Sequence, residues 1–359
     1  MGCSFSGDKP KNLTIWLEAS SKQFEIIKQA RSVFLKDNPD AIIVLKQVPF
    51  NTVKPLVLNP REQAPDIFLG VNDWLSELVK EKRILPINKS SLKNEFYPQT
   101  ISPLIDNGEL WAIPYSFEYL ALFYNKKYIP PKKIIDFLSK NKDINSPLLG
   151  YDVYNLYYHF AFLSSLLDGA FSKKVFETSE MHESINSIKM LLDKKIIVKD
   201  CNSDIARNLF LSGKIPYYIS GPWDIENIID ISPGIAPIPS LRNKPSKPFL
   251  GIKCFYISKD CKNKELAISF LNTLLDERFQ SELSEINVPP ANIKAETGKS
   301  IYMNFFFKNI KNTTALPGGP IMKSIWSIGN AFLYRTIHDN MNYKKALNLL
   351  KYEEKENSI

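Results

Sequence analysis

Carboxylates, hydroxyls and indole rings recur together at three places where an apolar, β-rich run hands over to a helical pattern. Glu18, Ser20 and Ser21 follow "LTIWL", Asn72, Asp73 and Trp74 follow "DIFLG", and Trp223 follows "IPYYISGP". Such groups suit a polyhydroxylated ligand: carboxylates and hydroxyls can bond its hydroxyls, and a flat ring can cover its C–H face. Open α/β sheets present junctions of this kind beyond the carboxyl ends of their strands, where ligands bind. Taken singly, Ser20, Asn72 and Asp73 also read as helix caps, and Trp223 as a ring packed under a loop. Around Trp223, Gly221 allows a tight turn and Pro222 suits a first helical position, while Asp224 and Glu226 put negative charge where the helix dipole favours it.

Covalent chemistry has no comparable signal. G-x-S-x-G, P-loop, G-x-G-x-x-G and H-E-x-x-H patterns are missing, and His159, His182 and His338 are scattered with no conspicuous nucleophile beside them. A glycosidase-like pair of carboxylates is the enzymatic alternative that the acidic residues leave open. Cys3, Cys201, Cys254 and Cys261 form no C-x-x-C pair and no ligand-like cluster with histidine. Cys254 and Cys261 fall in a strand and the turn after it, which disfavours a bridge between them. The expectation is a binding protein with no metal and no cofactor.

The elements that must position these residues are legible in the hydrophobic pattern. The 359 residues suffice for roughly two ordinary domains, and 44% apolar with 23% charged residues is the composition of a globular protein. "NLTIWL", "AIIVLKQV" and "APDIFLGV" read as strands. Between the first two lies an amphipathic helix opened by a capping box of Ser20 and Gln23, and after the third a helix capped by Asn72 or Asp73. This alternation predicts a parallel α/β sheet. Near residue 109 the pattern changes to two β-like runs around "PYSFE", followed mainly by helices over Tyr154–Leu167, Glu180–Lys194 and Asp204–Leu211. "IPYYI" and "LGIKCFYIS" are later strands, and helical patterns cover "NKELAISFLNTLL", Met322–Tyr334 and Tyr343–Tyr352.

The net charge of +8 is spread along the chain, with short runs such as "KKYIPPKK" but no long basic block, so solvated faces are expected, with nucleic acid or an anionic membrane surface as the alternative. No run of about eighteen apolar residues predicts a transmembrane segment. The start, "MGCSFSGDKPKNLTIWL", places a polar, Gly- and Pro-containing spacer between Cys3 and the first strand. That order predicts a lipidated Cys3 with residues 1–11 as a tether, Met1-Gly2 being foreign to the mature protein. The myristoylation pattern that Gly2 and Ser6 satisfy is the rival, and an incidental cysteine the plain alternative.

In order and wording, the chain resembles the bacterial extracellular solute-binding proteins of sugar ABC transporters, in particular those that take maltose and maltodextrins. The blocks that carry the likeness are "LTIWLEASS", "APDIFLGVNDW", "FYPQTISPLIDNGELWAIPYSFEYLALFYNKKYIPP", "FLSGKIPYYISGPWDIENI", "KPSKPFLGIKCFYISKDCKNKELAISFL" and "LPGGPIMKSIWSIGNAF". They are nearly collinear from Asn12 to Glu354. The resemblance implies a two-lobed periplasmic-binding-protein fold, hinged α/β lobes with mixed sheets flanked by helices. The N-terminal lobe would take residues 12–116 and 251–300, the C-terminal lobe residues 117–250 and 301–359. By matching position, Trp223 and Trp326 become sugar-stacking rings, and Glu118 and Asp73 ligand-binding carboxylates. The chain departs from the maltose-binding pattern at several points. Ser20 and Ser21 replace a charged pair, Gly70 and Trp74 stand where a tryptophan and an arginine would, and Tyr157, Tyr158 and His159 replace a Glu-Pro-Tyr contact. Glu18, Ser20, Ser21, Trp74, Tyr157, Tyr158 and His159 therefore complete the candidate ligand set, and Trp74 can restore the ring missing at Gly70. The function implied is a monomeric, lipid-anchored extracytoplasmic protein that captures an oligosaccharide and delivers it to an ABC permease. The alternatives are the same fold binding a polyamine, peptide or ion, or a surface sensor or adhesin without transport.

Overall fold

A computed structural model describes residues 11–60, 64–133, 136, 146–168, 171–296, 298–316 and 321–356. Cys3 and residues 1–10 of the expected tether lie outside them, and Lys11, its last residue, already belongs to the first strand. In chain order the first part carries β1 (Lys11–Leu17), α1 (Ser21–Asp37), β2 (Ala41–Gln47), α2 (Phe50–Leu58), β3 (Ile67–Val71), α3 (Leu75–Lys80) and α4 (Pro98–Ile101). Four strands follow, β4 (Ile105–Asp106), β5 (Glu109–Leu110), β6 (Ile113–Glu118) and β7 (Ala121–Tyr124). Next come β8 (Leu149–Gly150), α5 (Leu156–Leu163), α6 (Ser179–Asp193), α7 (Ser203–Leu211), β9 (Tyr217–Ser220), α8 (Ile225–Ile228), β10 (Gly234–Ala236) and β11 (Phe249–Ile257). The chain ends with α9 (Lys264–Leu274), α10 (Glu277–Glu285), α11 (Ile301–Asn309), β12 (Thr314–Ala315), α12 (Ile321–Leu333) and α13 (Tyr343–Glu356).

These elements form two compact α/β units, Met1–Phe117 with Ile252–Gly298, and Glu118–Gly251 with Lys299–Ile359. In the first, β1 pairs in parallel with β2 and β3, and β11 runs antiparallel to β3 with Cys254 opposite Gly70. Leu13, Ile15 and Leu17 alternate along β1 and are fully buried, so one face of the sheet is continuous core. Against it α1 turns Ile26, Ile27, Ala30 and Phe34, a spacing of three and four residues. Phe34 meets Phe270 of α9 edge-on at 5.5 Å. The capping box is present: Ser20 Oγ accepts from Gln23 N at 3.3 Å and Gln23 Oε1 accepts from Ser20 N at 3.0 Å.

The second unit is built on a sheet of order β10-β7-β9-β8, antiparallel except for β8 with β9. Every residue of β9 is buried, which is why "IPYYI" reads as an unbroken apolar run. Its Tyr218 packs against Phe123 and Phe210.

Two expectations need correction, and one helix was not expected. Neither Asn72 nor Asp73 caps α3, because a tight 3₁₀ turn over Asn72–Trp74 precedes that helix and has no side-chain cap. The buried Asn72 instead accepts the backbone N–H of Ile252 at 3.0 Å. The helix expected over Tyr154–Leu167 spans only Leu156–Leu163, since Asn155 takes the capping position. Helix α2 was not anticipated: Pro55 inside it obscures the helical signal, and tertiary packing of Val53 and Val57 overrides that local cost. Cys201, Cys254 and Cys261 are buried, free thiols.

Candidate functional site

The turn that carries Trp223 is held from both sides. Strand β9 ends at Ser220, and a 3₁₀ turn of Pro222–Asp224 leads into α8. Gly221 has extended backbone angles that any residue adopts, so the glycine is not there for the turn. A Cβ at that position would lie 2.1–2.5 Å from three atoms of the Trp223 ring. The indole rests on the Gly221 backbone and is still 43% exposed. On the other side, buried Asp224 accepts hydrogen bonds from Ser220 Oγ at 2.7 Å, Asn227 Nδ2 at 3.0 Å and Arg207 Nη1 at 3.0 Å. A short bond from Tyr218 Oη completes the set. Burial pushes the Asp224 carboxyl pKa up, but these four donors outweigh it and hold the group below its usual range. The negative charge expected to serve the helix dipole is thus an anchor between β9, α7 and α8.

Around Trp223 stands a group of rings. Tyr157, in the first turn of α5, has its ring centroid 6.4 Å from Trp223, 6.2 Å from Trp326 and 6.3 Å from Phe249. Those distances fall within the range of aromatic pairs. Phe249 supports the group from below: it is fully buried, lies face to face with Phe160 at 3.6 Å and meets Trp326 edge-on at 6.0 Å. Helix α5 is set in place by Asn155, whose Oδ1 accepts from Tyr157 N at 3.0 Å, and by Asn330 of α12, which accepts the Leu156 N–H at 2.8 Å. Asn330 thereby joins the helix that carries Tyr157 to the helix that carries Trp326.

The Tyr157 hydroxyl is buried and has no hydrogen-bond partner among the described residues. Its pKa is driven well above the usual value by burial, then by the nearby charge of Glu118 and by Tyr158. The Glu118 side chain lies over Gly251, where a Cβ would come within 3.1 Å of its Cγ. Buried polar atoms without partners are rare in folded proteins and call for an explanation, and a ligand is one.

Helical geometry separates the three consecutive α5 residues, each turned about 100° from the last. Among them Tyr157 meets Trp223, Trp326 and Phe249, while Tyr158 touches Tyr157 edge-on at 6.1 Å. Tyr158 is buried, with its hydroxyl 3.1 Å from Ser203 Oγ. His159 is fully buried, with Nε2 2.9 Å from Ser184 Oγ. Ser184 gives its own proton to the Met181 carbonyl at 2.9 Å, so Nε2 is assigned as the protonated nitrogen. Burial lowers the imidazole pKa to about 4. His159 is a core residue of the α5–α6 packing and offers no group at the exposed face of Trp223.

The remaining candidates belong to the first unit, at the carboxyl ends of β1 and β3. Glu18 pairs with Lys253 at 2.9 Å, Ser20 is occupied in the capping box, and Ser21 is exposed. Asp73 is half-buried. Trp74 repeats the Trp223 device: a Cβ at Gly70 would lie 2.6 Å and 2.8 Å from two of its ring atoms. The difference is exposure, since Trp74 is only 6% exposed and packs against Phe50 at 5.2 Å. Trp74 does fill the space above Gly70, as packing. A cavity of 480 Å³ beside the ends of β1 and β2 is lined by Trp16, Lys46, Pro49, Asn51 and Pro55, none of them singled out from the sequence.

The sequence comparison fits this arrangement. The model of the bacterial extracellular solute-binding protein family matches residues 34–307. The chain belongs to that family. Relatives include a maltotriose-binding protein of Pyrococcus abyssi, 23% identical over 95% of this chain and 81% of its own length. The maltodextrin-binding protein of Bacillus subtilis is 24% identical over 99% of this chain and 93% of its own. The galactooligosaccharide-binding protein of the same organism is 22% identical over 95% and 88%. The family match contains Asp73, Trp74, Glu118, Tyr157 and Trp223, whereas Glu18, Ser20, Ser21 and Trp326 fall outside it.

Sequence reading overlooked Phe249, Asn330, Asp224 as an anchor and Gly251 in this solute-binding protein. Each acts through a partner from another element, or in Asp224's case largely so. Only "GPWD" carried a local hint, the acidic residue directly after the indole.

Proposed function

We propose that this solute-binding protein captures an oligosaccharide and passes it to an ABC permease. The observation that carries the reading is the group of Tyr157, Trp223 and Trp326, in which the buried Tyr157 hydroxyl has no hydrogen-bond partner among the described residues. Rings supply stacking faces for sugars, and the hydroxyl supplies a hydrogen bond whose desolvation has already been met in the fold. The relatives that bind maltotriose, maltodextrin and galactooligosaccharide support the same class of ligand. Glu118 and, from the first unit, Glu18, Ser20, Ser21 and Asp73 are the further hydrogen-bonding groups of this reading. The two units act as lobes of a hinged trap, and ligand binding favours the closed form that a permease recognises. The protein works as a monomer held to the membrane through a lipid on Cys3. No bond of the ligand is broken.

Titration calorimetry against α-glucans and galactooligosaccharides of increasing length tests this reading. Binding of at least one series, weakened more than tenfold by Trp223→Ala and by Trp326→Ala, is expected, since truncating a central aromatic costs about 2 kcal/mol or more. Full affinity in both variants would place the site elsewhere. Chromatography of the bound sugar should return it unchanged; steady product formation that Glu118→Gln abolishes would make the protein a glycosidase. Acyl mass on Cys3 of the native protein tests the anchor, and an unmodified Cys3 overturns it.

A further inference from the structure

The segment Lys126–Lys133, "KKYIPPKK", belongs to the second unit and contributes no residue to the ring site. Ile129 is 74% exposed and its neighbour Tyr128 49%. Its backbone is held firmly. Tyr217 Oη donates to the Ile129 carbonyl at 2.7 Å, Ser240 N donates to the Lys132 carbonyl at 3.1 Å, and Asn125 Oδ1 accepts from Lys127 N at 3.0 Å. Pro130 and Pro131 stiffen the turn between. Ile129 thus stands exposed on a backbone pinned on either side, with Tyr128 beside it.

Four lysines flank that tip: Lys126 and Lys127 before it, Lys132 and Lys133 after it, all exposed. None has a carboxylate partner for its ammonium group among the described residues, and Lys133 Nζ reaches only the amide oxygen of Asn243 at 2.7 Å. Asp136 is the nearby acid, and it accepts the backbone N–H groups of Lys132 and Lys133 at 3.1 Å and 3.0 Å. On the adjoining loop Arg242 and Lys244 are paired with Glu183 and Asp168, which leaves the excess charge on the lysine segment.

We propose that Lys126–Lys133 docks the second unit on an anionic lipid surface, with Ile129 and Tyr128 entering the headgroup boundary and the lysines binding lipid phosphates. An apolar tip alone binds membranes marginally, and adjacent positive charge is the second signal that makes contact stable. The contact is independent of the solute site and of any lipid on Cys3.

Flotation of the full chain, produced without an acyl group, with vesicles of phosphatidylcholine alone or mixed with phosphatidylglycerol tests this. Binding to the mixed vesicles only, weakened by added salt, is expected. Lys126→Ala/Lys127→Ala should weaken it by roughly tenfold or more and Ile129→Ser by about tenfold, each with an unchanged melting temperature. Equal binding to both vesicle types, or an Ile129→Ser chain that binds as the parent does, overturns the proposal. Retention on DNA without retention on vesicles would assign the lysines to another polyanion and overturn it as well.

Discussion

Trp223 and Gly221 form one functional piece, because the indole occupies the volume that any other residue at position 221 would claim. Gly221→Ala must push the ring off its seat, so its effect on sugar affinity should approach the more than tenfold loss expected for Trp223→Ala. In the double variant the two losses should not add, as happens when both act through one contact. Calorimetry on the four chains of that cycle decides; additive losses would show that Gly221 matters for some other reason. Tyr157→Phe offers a sharper contrast. The buried hydroxyl has no hydrogen-bond partner among the described residues, so its removal should leave stability unchanged or raise it by about 1 kcal/mol. If the hydroxyl bonds the sugar, affinity should fall by roughly fivefold in the same variant. Affinity then falls with no loss of melting temperature, which a simple packing role for the tyrosine would not produce.

Among the elements, the junction of β9, α7 and α8 depends on one carboxylate. Asp224→Ala leaves Tyr218 and Ser220 without their acceptor and Arg207 with Asp204 alone, and such a loss of hydrogen bonds to a buried carboxylate costs about 1–3 kcal/mol. The carboxyl is held below its ordinary pKa of 3.8, so its stabilising effect is fully present above that value and is lost as pH falls through the folded-state value. Helix α5 adds a second acid-sensitive step. His159 is neutral and buried with a pKa near 4, against 6.5 for an exposed histidine, so the unfolded chain binds a proton between those values and the folded chain does not. Stability should fall as pH drops from 6.5 towards 4, by roughly 3 kcal/mol in all. His159→Gln should flatten that part of the profile while keeping the bond to Ser184. Melting temperatures of the parent and His159→Gln chains across this range check it, and parallel profiles would contradict the buried, neutral assignment.

At the scale of the molecule, the chain passes between the two units at Phe117–Glu118, Gly251–Ile252 and Gly298–Lys299. Three covalent connections of this kind suit hinge bending, because few backbone angles need change for one unit to rotate against the other. If sugar binding closes the trap, small-angle scattering should record a smaller radius of gyration with saturating sugar than without it. A binding isotherm with no change in scattering would reject closure while leaving the ligand assignment intact.

What the sequence determined by itself is whatever depends on near neighbours. The β1–α1–β2 order, the Ser20–Gln23 capping box and the unbroken apolar run of β9 follow from periods and caps that span a few residues. The family match rests on the same linear order. Tertiary structure alone decided which of Tyr157, Tyr158 and His159 meets Trp223 and Trp326, since helical rotation separates them and only packing chooses the direction. It also decided that Asn72 serves the backbone of Ile252, 180 residues away, and that Phe249 supports Trp326. The presence of Gly221 was legible, but its reason was not, because the constraint comes from a ring folded back over the chain and not from the turn. Local energetics shape each element, whereas the direction of a side chain at a site is set by partners that the linear order keeps far apart.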